Sequence, residues 1–228
     1  QFEDEHHAQG GPLNVTFPNI VSPLEQDFVA ASEALQYKHN PDFNGEIQEG
    51  VGIHQATQKN GQRWSSSKAY LHPAMQRPNL TILTDAAVKR VLLEGDRASG
   101  VELIDGRQLS AKREIIVSAG AVVSPKILML SGIGDPAELS PHGIELKHNL
   151  IGVGKNLQDH AAVGAIMSTQ SRIPWGFSWP KLPSFAIEAL KYLFTRKGWF
   201  SAQLIESGGF IKSRPELERP DIQLVFIP

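Results

Sequence analysis

The chain contains no cysteine. That excludes disulfides, thiolate metal sites and cysteine nucleophiles, and it leaves the redox compartment open. Charge of one sign is also missing: 22 Lys and Arg stand against 24 Asp and Glu, a formal net charge of −2. With no stripe of cations, nothing in the charge pattern indicates a nucleic-acid partner. No apolar run approaches the ~20 residues that a membrane-spanning helix needs. Residues 1–11, QFEDEHHAQGG, lack the basic and apolar regions of a secretory signal. The two sequons, at Asn14 and Asn79, are read as chance matches, and the cytoplasm is the favoured compartment. G-x-S-x-G and H-E-x-x-H are absent too, which removes a hydrolase nucleophile elbow and a helical zinc motif.

What is present is an ordinary globular composition, 41% hydrophobic and 20% charged over 228 residues, enough for one large or two small domains. Residues 23–37 place Phe28, Ala31 and Leu35 at spacings of three and four, which predicts an amphipathic helix capped by Ser22 and started by Pro23. NPDFNG (40–45) is a turn cluster, and VGIHQATQ (51–58) before Lys59-Asn60-Gly61 predicts a hairpin. A short helix is expected from Ser65 to Tyr70, ending before Pro73. From Asn79 the segments LTILT, VKRVLLEG, ASGVELID, RQLSA and KREIIVSA predict a small antiparallel meander. Beyond the aromatic, proline-rich IPWGFSWPKLP comes a helix, SFAIEALKYLFTR, then two strands, SGGFIKS and DIQLVFI. Closure on a strand with no tail points to a fragment.

The stretch EIIVSAGAVVSPKILMLSGIGD (114–135) raises the sharpest question. A buried-strand pattern stops at Ser118-Ala119-Gly120, residues with almost no side-chain bulk, and a helix is expected to follow, with Ser124 and Pro125 as its cap and first residue. Bare main chain and an open helix start suit the sugar or phosphate of a nucleotide; a tightly packed crossover with no ligand is the competing reading. Gly132-Ile-Gly134-Asp-Pro-Ala137 fits G-x-G-x-x-A in form only. It follows a helix instead of a strand and contains Pro136, so it is rejected as a dinucleotide fingerprint. Gly152-Val-Gly154-Lys155-Asn156 fails as a phosphate loop because no Ser or Thr follows the lysine. In the same loop Asn156, Asp159 and His160 stand as polar candidates for bonds to backbone elsewhere.

Together these segments resemble the glucose–methanol–choline (GMC) family of FAD-dependent oxidoreductases, in its choline dehydrogenase-like and alcohol dehydrogenase-like members. Its long signature is matched by Gly120 to Gly134, GAVVSPKILMLSGIG. NPDFNG, QEGVG with Gln55 and Thr57, NGQRWSSSKAYLHP, RPNLTILTDAAVKRV, GVGKNLQDH, ESGGF and RPDIQL extend the likeness from about residue 10 to the end. His54 and Asp85 depart from it, standing where an aromatic and a glycine are common.

The resemblance implies a mixed α/β (α+β) fold. Part of an FAD-binding domain, a β-meander plus crossover helix over 79–160, would be interleaved with an antiparallel-sheet substrate domain built from 1–78 and 161–228. It implies FAD as cofactor and a small alcohol as substrate, oxidised by hydride transfer to flavin. The main chain at Val88 and at Ser118, Ala119 and Gly120 would meet the adenosine end of FAD, and Asn156, Asp159 and His160 would lie in the loop that returns to the substrate domain, serving the structure or else contacting the cofactor near the flavin. Glu206, in a Glu-Ser-Gly-Gly-Phe setting, would face a cationic substrate, or else serve the structure alone. The pyrophosphate-binding glycines are expected upstream of residue 1 and the catalytic histidine beyond Pro228, so no catalytic residue is assigned within the chain, and the missing segments of the same enzyme are its expected partners. A hydroxynitrile lyase of the same fold and a module without a cofactor are the alternatives.

Overall fold

The structure is a computed structural model that describes residues 3–168, 179–203 and 205–228. In chain order its elements are α1 (Pro23–Ala34), β1 (Gly50–Ile53), β2 (Gln58–Lys59), β3 (Gln62–Arg63), α2 (His72–Ala74), β4 (Val88–Glu94), β5 (Arg97–Leu103) and β6 (Gln108–Ser110). There follow α3 (Gly120–Leu130), β7 (Ile133–Gly134), α4 (Pro136–Leu139), β8 (His148–Asn149), α5 (Leu182–Thr195), β9 (Ser207–Ile211) and β10 (Ile222–Phe226). Most of the IPWGFSWPKLP stretch lies outside the described residues. The chain forms two compact units, Gln1–Leu80 with Ser168–Pro228, and Thr81–Met167.

The first unit is organised on an antiparallel sheet in the order β1-β9-β10. Val51 pairs with Gly209, and Gly209 in turn with Leu224, so the two glycines of ESGGF occupy the sheet centre. A Cβ on Gly208 would run into the Leu224 carbonyl, and one on Gly209 would lie 2.7 Å from Val51 Cγ1. Backbone crowding, not flexibility, demands glycine at both. Helix α1 rests on β1 and β9. Its buried face is Glu25, Val29 and Ser32, while the expected inward residue Leu35 is 73% exposed. Phe28 instead stacks on Phe226 at the sheet edge, ring centroids 5.0 Å apart.

The turn at Lys59-Asn60-Gly61 forms as expected, with positive φ at Asn60 and Gly61, joining β2 to β3. Residues 51–53 do not join this hairpin; they pair with β9 across a long separation in sequence. Nor does the next helix end before Pro73. A wide i→i+5 turn over Ser67–Leu71 continues into α2, with Pro73 at that helix's start, where its missing N–H is tolerated.

The second unit holds the meander, reduced from five expected strands to the three of β4-β5-β6. LTILT and EIIVS have no ladder partner among the described residues. Leu103 and Val91 are buried on the sheet face, and Glu102 is held by Lys89 and Arg90, each at 2.6 Å. Helix α3 packs on β4, and the Ser131 hydroxyl at its end accepts from the Val91 N–H at 2.8 Å. Beyond it the rejected glycine pattern becomes a turn at Gly132, the parallel pair β7-β8, and α4, whose cap Asp135 accepts from the Ala137 N–H. The dinucleotide context is absent there, as the preceding helix implied.

Candidate functional site: exposed main chain before α3

Helix α3 begins well before Ser124-Pro125, the start expected from its sequence. Ala119 is its N-cap, Gly120 its first residue, and Pro125 lies inside. Ser124 Oγ reaches back to accept the Ala119 N–H at 2.9 Å, so the serine serves the helix start from within the first turns. Gly120 has φ +85°, and nothing lies within 4 Å of where its Cβ would stand. Ser118, Ala119 and Gly120 are all exposed. Preceding them, Ile116 is 77% exposed although its neighbours read as a buried strand. Among the described residues this segment joins no ladder, so apolar side chains lead straight to an uncovered helix start.

Val88 opens β4, whose sole ladder neighbour among the described residues is β5; farther along the strand the Val91 N–H is taken by the Ser131 hydroxyl. On the flank of α3 lies a groove of ≈ 890 Å³, lined by Val122, Pro125, Met129, His142, Lys155 and Asn156 among others. The fold thus brings Asn156, which takes φ +56°, to the same helix that Gly120 begins. Asp159 and His160 are exposed outside that lining, and Asp159 accepts from the His160 N–H at 2.8 Å. Lys155 is tied to Glu138 at 2.5 Å, which pins the loop to α4 and holds the lysine pKa above its ordinary value.

Glu206 lies in the other unit and is 1% exposed. One carboxylate oxygen accepts the Ser22 N–H at 2.9 Å, the other the Gln203 N–H at 3.3 Å. Glu25, 0% exposed, reciprocates by accepting from the Glu206 N–H at 3.3 Å and from the Ser207 hydroxyl. Ser22-Pro-Leu-Glu25 is a capping-box sequence, in which Glu25 ordinarily turns back to the Ser22 N–H. Here the two glutamates have exchanged partners, and the swap clasps α1 to β9. Burial pushes both carboxyls above the usual glutamate range. Ser207 and backbone N–H groups oppose the rise at Glu25; at Glu206 backbone N–H groups oppose it and the charge of Glu25 adds to it. Nearby His54, whose main-chain N–H donates to the Glu206 carbonyl, has its imidazole pKa pushed down by burial, and its ring lies tilted against Phe43. The sequence reading missed Glu25 and Ser207; the capping-box spacing was the available signal for the first.

Among the described residues no group of three or more His, Asp or Glu side chains is placed to hold a metal ion. No described helix is long and apolar enough to cross a membrane.

The family model described as GMC oxidoreductase matches residues 2–162. An "alcohol dehydrogenase [acceptor]" of Pseudomonas putida is 43% identical over 99% of this chain and 42% of its own length. Mouse mitochondrial choline dehydrogenase is 42% identical over 96% of this chain and 37% of its own. The chain thus spans about two fifths of the curated relatives it matches. Among solved structures, pyridoxine 4-oxidase of "Mesorbium loti" superposes with TM-score 0.70 at 29% identity, covering 90% of this chain and 37% of that one. A formate oxidase shares the fold with TM-score 0.75 at 24% identity, over 96% and 43%. With most of its residues inside the family model and its signature helix formed over the matching stretch, the chain belongs to the GMC oxidoreductase family.

Proposed function

We propose that this chain supplies the adenosine-side wall of an FAD site and part of the substrate domain of an enzyme that oxidises a primary alcohol to an aldehyde. The observation that carries the reading is the bare main chain at Ser118–Gly120, open to approach and leading into the start of α3. The residues fit the cofactor: three small side chains and the first-turn N–H groups of an 11-residue helix offer shape and donors to a ribose or phosphate. The edge of β4 at Val88 offers backbone groups to a base, and Asn156 borders the groove on the flank of α3. When bound, the flavin supplies the acceptor for the hydride leaving the alcohol carbon.

What the chain's own residues do is bind, orient and exclude water, and no residue of it is assigned as the base. For Glu206 the observations favour a positioning role over contact with a cationic substrate, since both carboxylate oxygens already accept main-chain N–H groups.

The test uses the full-length enzyme. Ala119 has φ −90°, so Ala119→Leu adds bulk to the exposed main chain without backbone strain. The expected result is FAD content reduced at least several-fold at an unchanged melting temperature of the apoprotein. Full FAD content in that variant overturns the reading. Bleaching of the flavin by an alcohol under anaerobic conditions then separates oxidation from a lyase reaction, which leaves the flavin oxidised.

A further inference from the structure

Of the asparagines, Asn44 and Asn60 alone precede glycine; elsewhere the next residue is valine, isoleucine, proline or leucine. Asn-Gly is the pairing in which an asparagine loses its amide most readily. Glycine carries no Cβ, so its main-chain nitrogen can close on the asparagine side-chain carbon. The fold sets the two pairs in turns of opposite freedom.

Asn60-Gly61 is the two-residue connection between β2 and β3, and the ladder pairs Lys59 with Gln62 directly beside it. Both residues take positive φ, +52° and +70°. Gly61 is buried, and a Cβ on it would run into the Arg196 carbonyl. Ring closure needs rotation about the Asn60 Cα–C bond, which moves Gly61. The ladder on one side and the Arg196 carbonyl on the other resist that movement.

Asn44-Gly45 lies in residues 41–49, which join no ladder among the described residues. The buried Asn40 closes the mouth of this loop, its amide donating to the carbonyls of Ile47 and Glu49 at 2.7 and 3.3 Å. At the tip the ties are looser. The Asn44 N–H donates to Asp42 Oδ1 at 3.1 Å, and the Gly45 N–H reaches the Asp42 carbonyl at 3.4 Å, beyond the usual hydrogen-bond range. What a Cβ on Gly45 would meet is Asp42, a neighbour in the same loop. Asn44 is exposed and lines a groove of ≈ 630 Å³ together with His6, His7 and Gln55, so water reaches its amide.

We propose that Asn44 is a site of spontaneous deamidation and that the fold protects Asn60 from the same reaction. The Gly45 nitrogen, its proton taken by hydroxide, bonds to Asn44 Cγ. The bond from Cγ to the amide nitrogen breaks and ammonia leaves, which closes a five-membered imide. Water then adds at either imide carbonyl and opens the ring to aspartate or to isoaspartate; no electron is transferred. Each product puts a new carboxylate beside Asp42, and isoaspartate lengthens the main chain at the residue whose N–H Asp42 holds. The turn that ties His7 and Gln55 to Asp42 is therefore expected to loosen as the protein ages. None of this chemistry involves the cofactor site, which lies in the other unit.

The test holds the full-length enzyme at mildly alkaline pH in heavy-oxygen water and maps its peptides by mass spectrometry. Asn44 is expected to convert at least about fivefold faster than Asn60, with isoaspartate exceeding aspartate and one heavy oxygen in each product. In denaturant the two rates should converge, since both pairs are then free. Gly45→Ala should slow conversion about tenfold. Asn44→Gln, which keeps the N–H bonded to Asp42, should abolish it at that position. The proposal is overturned if Asn60 converts as fast as Asn44 in the native enzyme, or if Asn44 stays intact there while the denatured enzyme converts. Undiminished conversion in Gly45→Ala also overturns it. So does a rate difference that persists in denaturant, because local sequence and not the fold would then set the order.

Discussion

The clasp between Glu25 and Glu206 and the stretch from Ile116 to Val123 invert the ordinary distribution of side chains in opposite senses. In the first, two carboxyls lie inside; in the second, Ile116 and Val122 lie outside. The clasp is closed upon itself: every acceptor it offers is met by a main-chain N–H or a hydroxyl of the same unit. The exposed stretch is open, with apolar side chains and small-residue main chain left uncovered. Buried carboxyls therefore mark architecture here, whereas the stretch from Ile116 to Val123 is where apolar side chains and small-residue main chain stay uncovered. Burial alone ranks the two the wrong way round if perturbed carboxyls are read as sites of chemistry.

The largest expected effect breaks the clasp. Glu206→Ala leaves the buried Ser22 N–H and the half-buried Gln203 N–H without acceptors and removes packed volume, which should cost on the order of 2–4 kcal/mol in chemical denaturation. Glu25→Ala should cost a similar amount, and the double variant less than the sum, because each glutamate's benefit depends on the other. Additive losses would mean that the two carboxylates act independently.

Next is the open stretch. Gly120→Ala introduces a side chain at φ +85°, where strain of about 1–2 kcal/mol is expected although no neighbour obstructs it. FAD content should fall further than that loss of stability explains. A variant that loses stability alone would assign Gly120 to the backbone turn and not to the cofactor.

The third prediction follows pH. The clasp carboxyls titrate above the ordinary glutamate value of 4.5, so above 4.5 the folded state binds more protons than the unfolded chain. Their contribution is greatest at low pH and declines as pH rises through the raised values. His54 is shifted the other way, so below 6.5 the folded state binds fewer protons and loses stability as pH falls. Glu206→Gln should flatten the decline above 4.5 in a plot of melting temperature against pH while keeping the fall below 6.5. A profile identical to wild type would refute the assignment.

The smallest effect is at Leu35. Exposed and clear of the buried face of α1, its replacement by Ser should change stability by less than about 0.5 kcal/mol. Val29→Ala, on the buried face, should cost about 1–3 kcal/mol. Equal losses at the two positions would restore the rotation of α1 expected from its apolar spacing.

Much of this is legible in residue order, and the failures share one cause. The β2–β3 turn, the helix over 182–195 and the strands at 207–211 and 222–226 follow from local pattern, because period and turn chemistry act over a few residues. The apolar spacing of α1 points to the wrong face. The helix instead turns inward a carboxylate that meets the main chain of Glu206, 181 residues away and next to β9. The strand reading of 114–118 fails for want of a ladder partner among the described residues. At the candidate site the small residues and the helix are readable, but the early start at Gly120 is not, because Ser124 looks like a cap and acts as one from inside the helix.

By itself, the sequence determined a helix after Ser124 and the small-residue gap before it, since sterics and periodicity are properties of neighbouring residues; the class of fold came from the likeness of its motifs to a known family. Only the tertiary structure decided that Glu206 belongs with Glu25 and Ser22, which face of α1 is inward, and that Asn156 borders a groove beside α3. Those depend on long-range packing, where hydrogen-bond satisfaction of buried groups outweighs the local hydrophobic pattern.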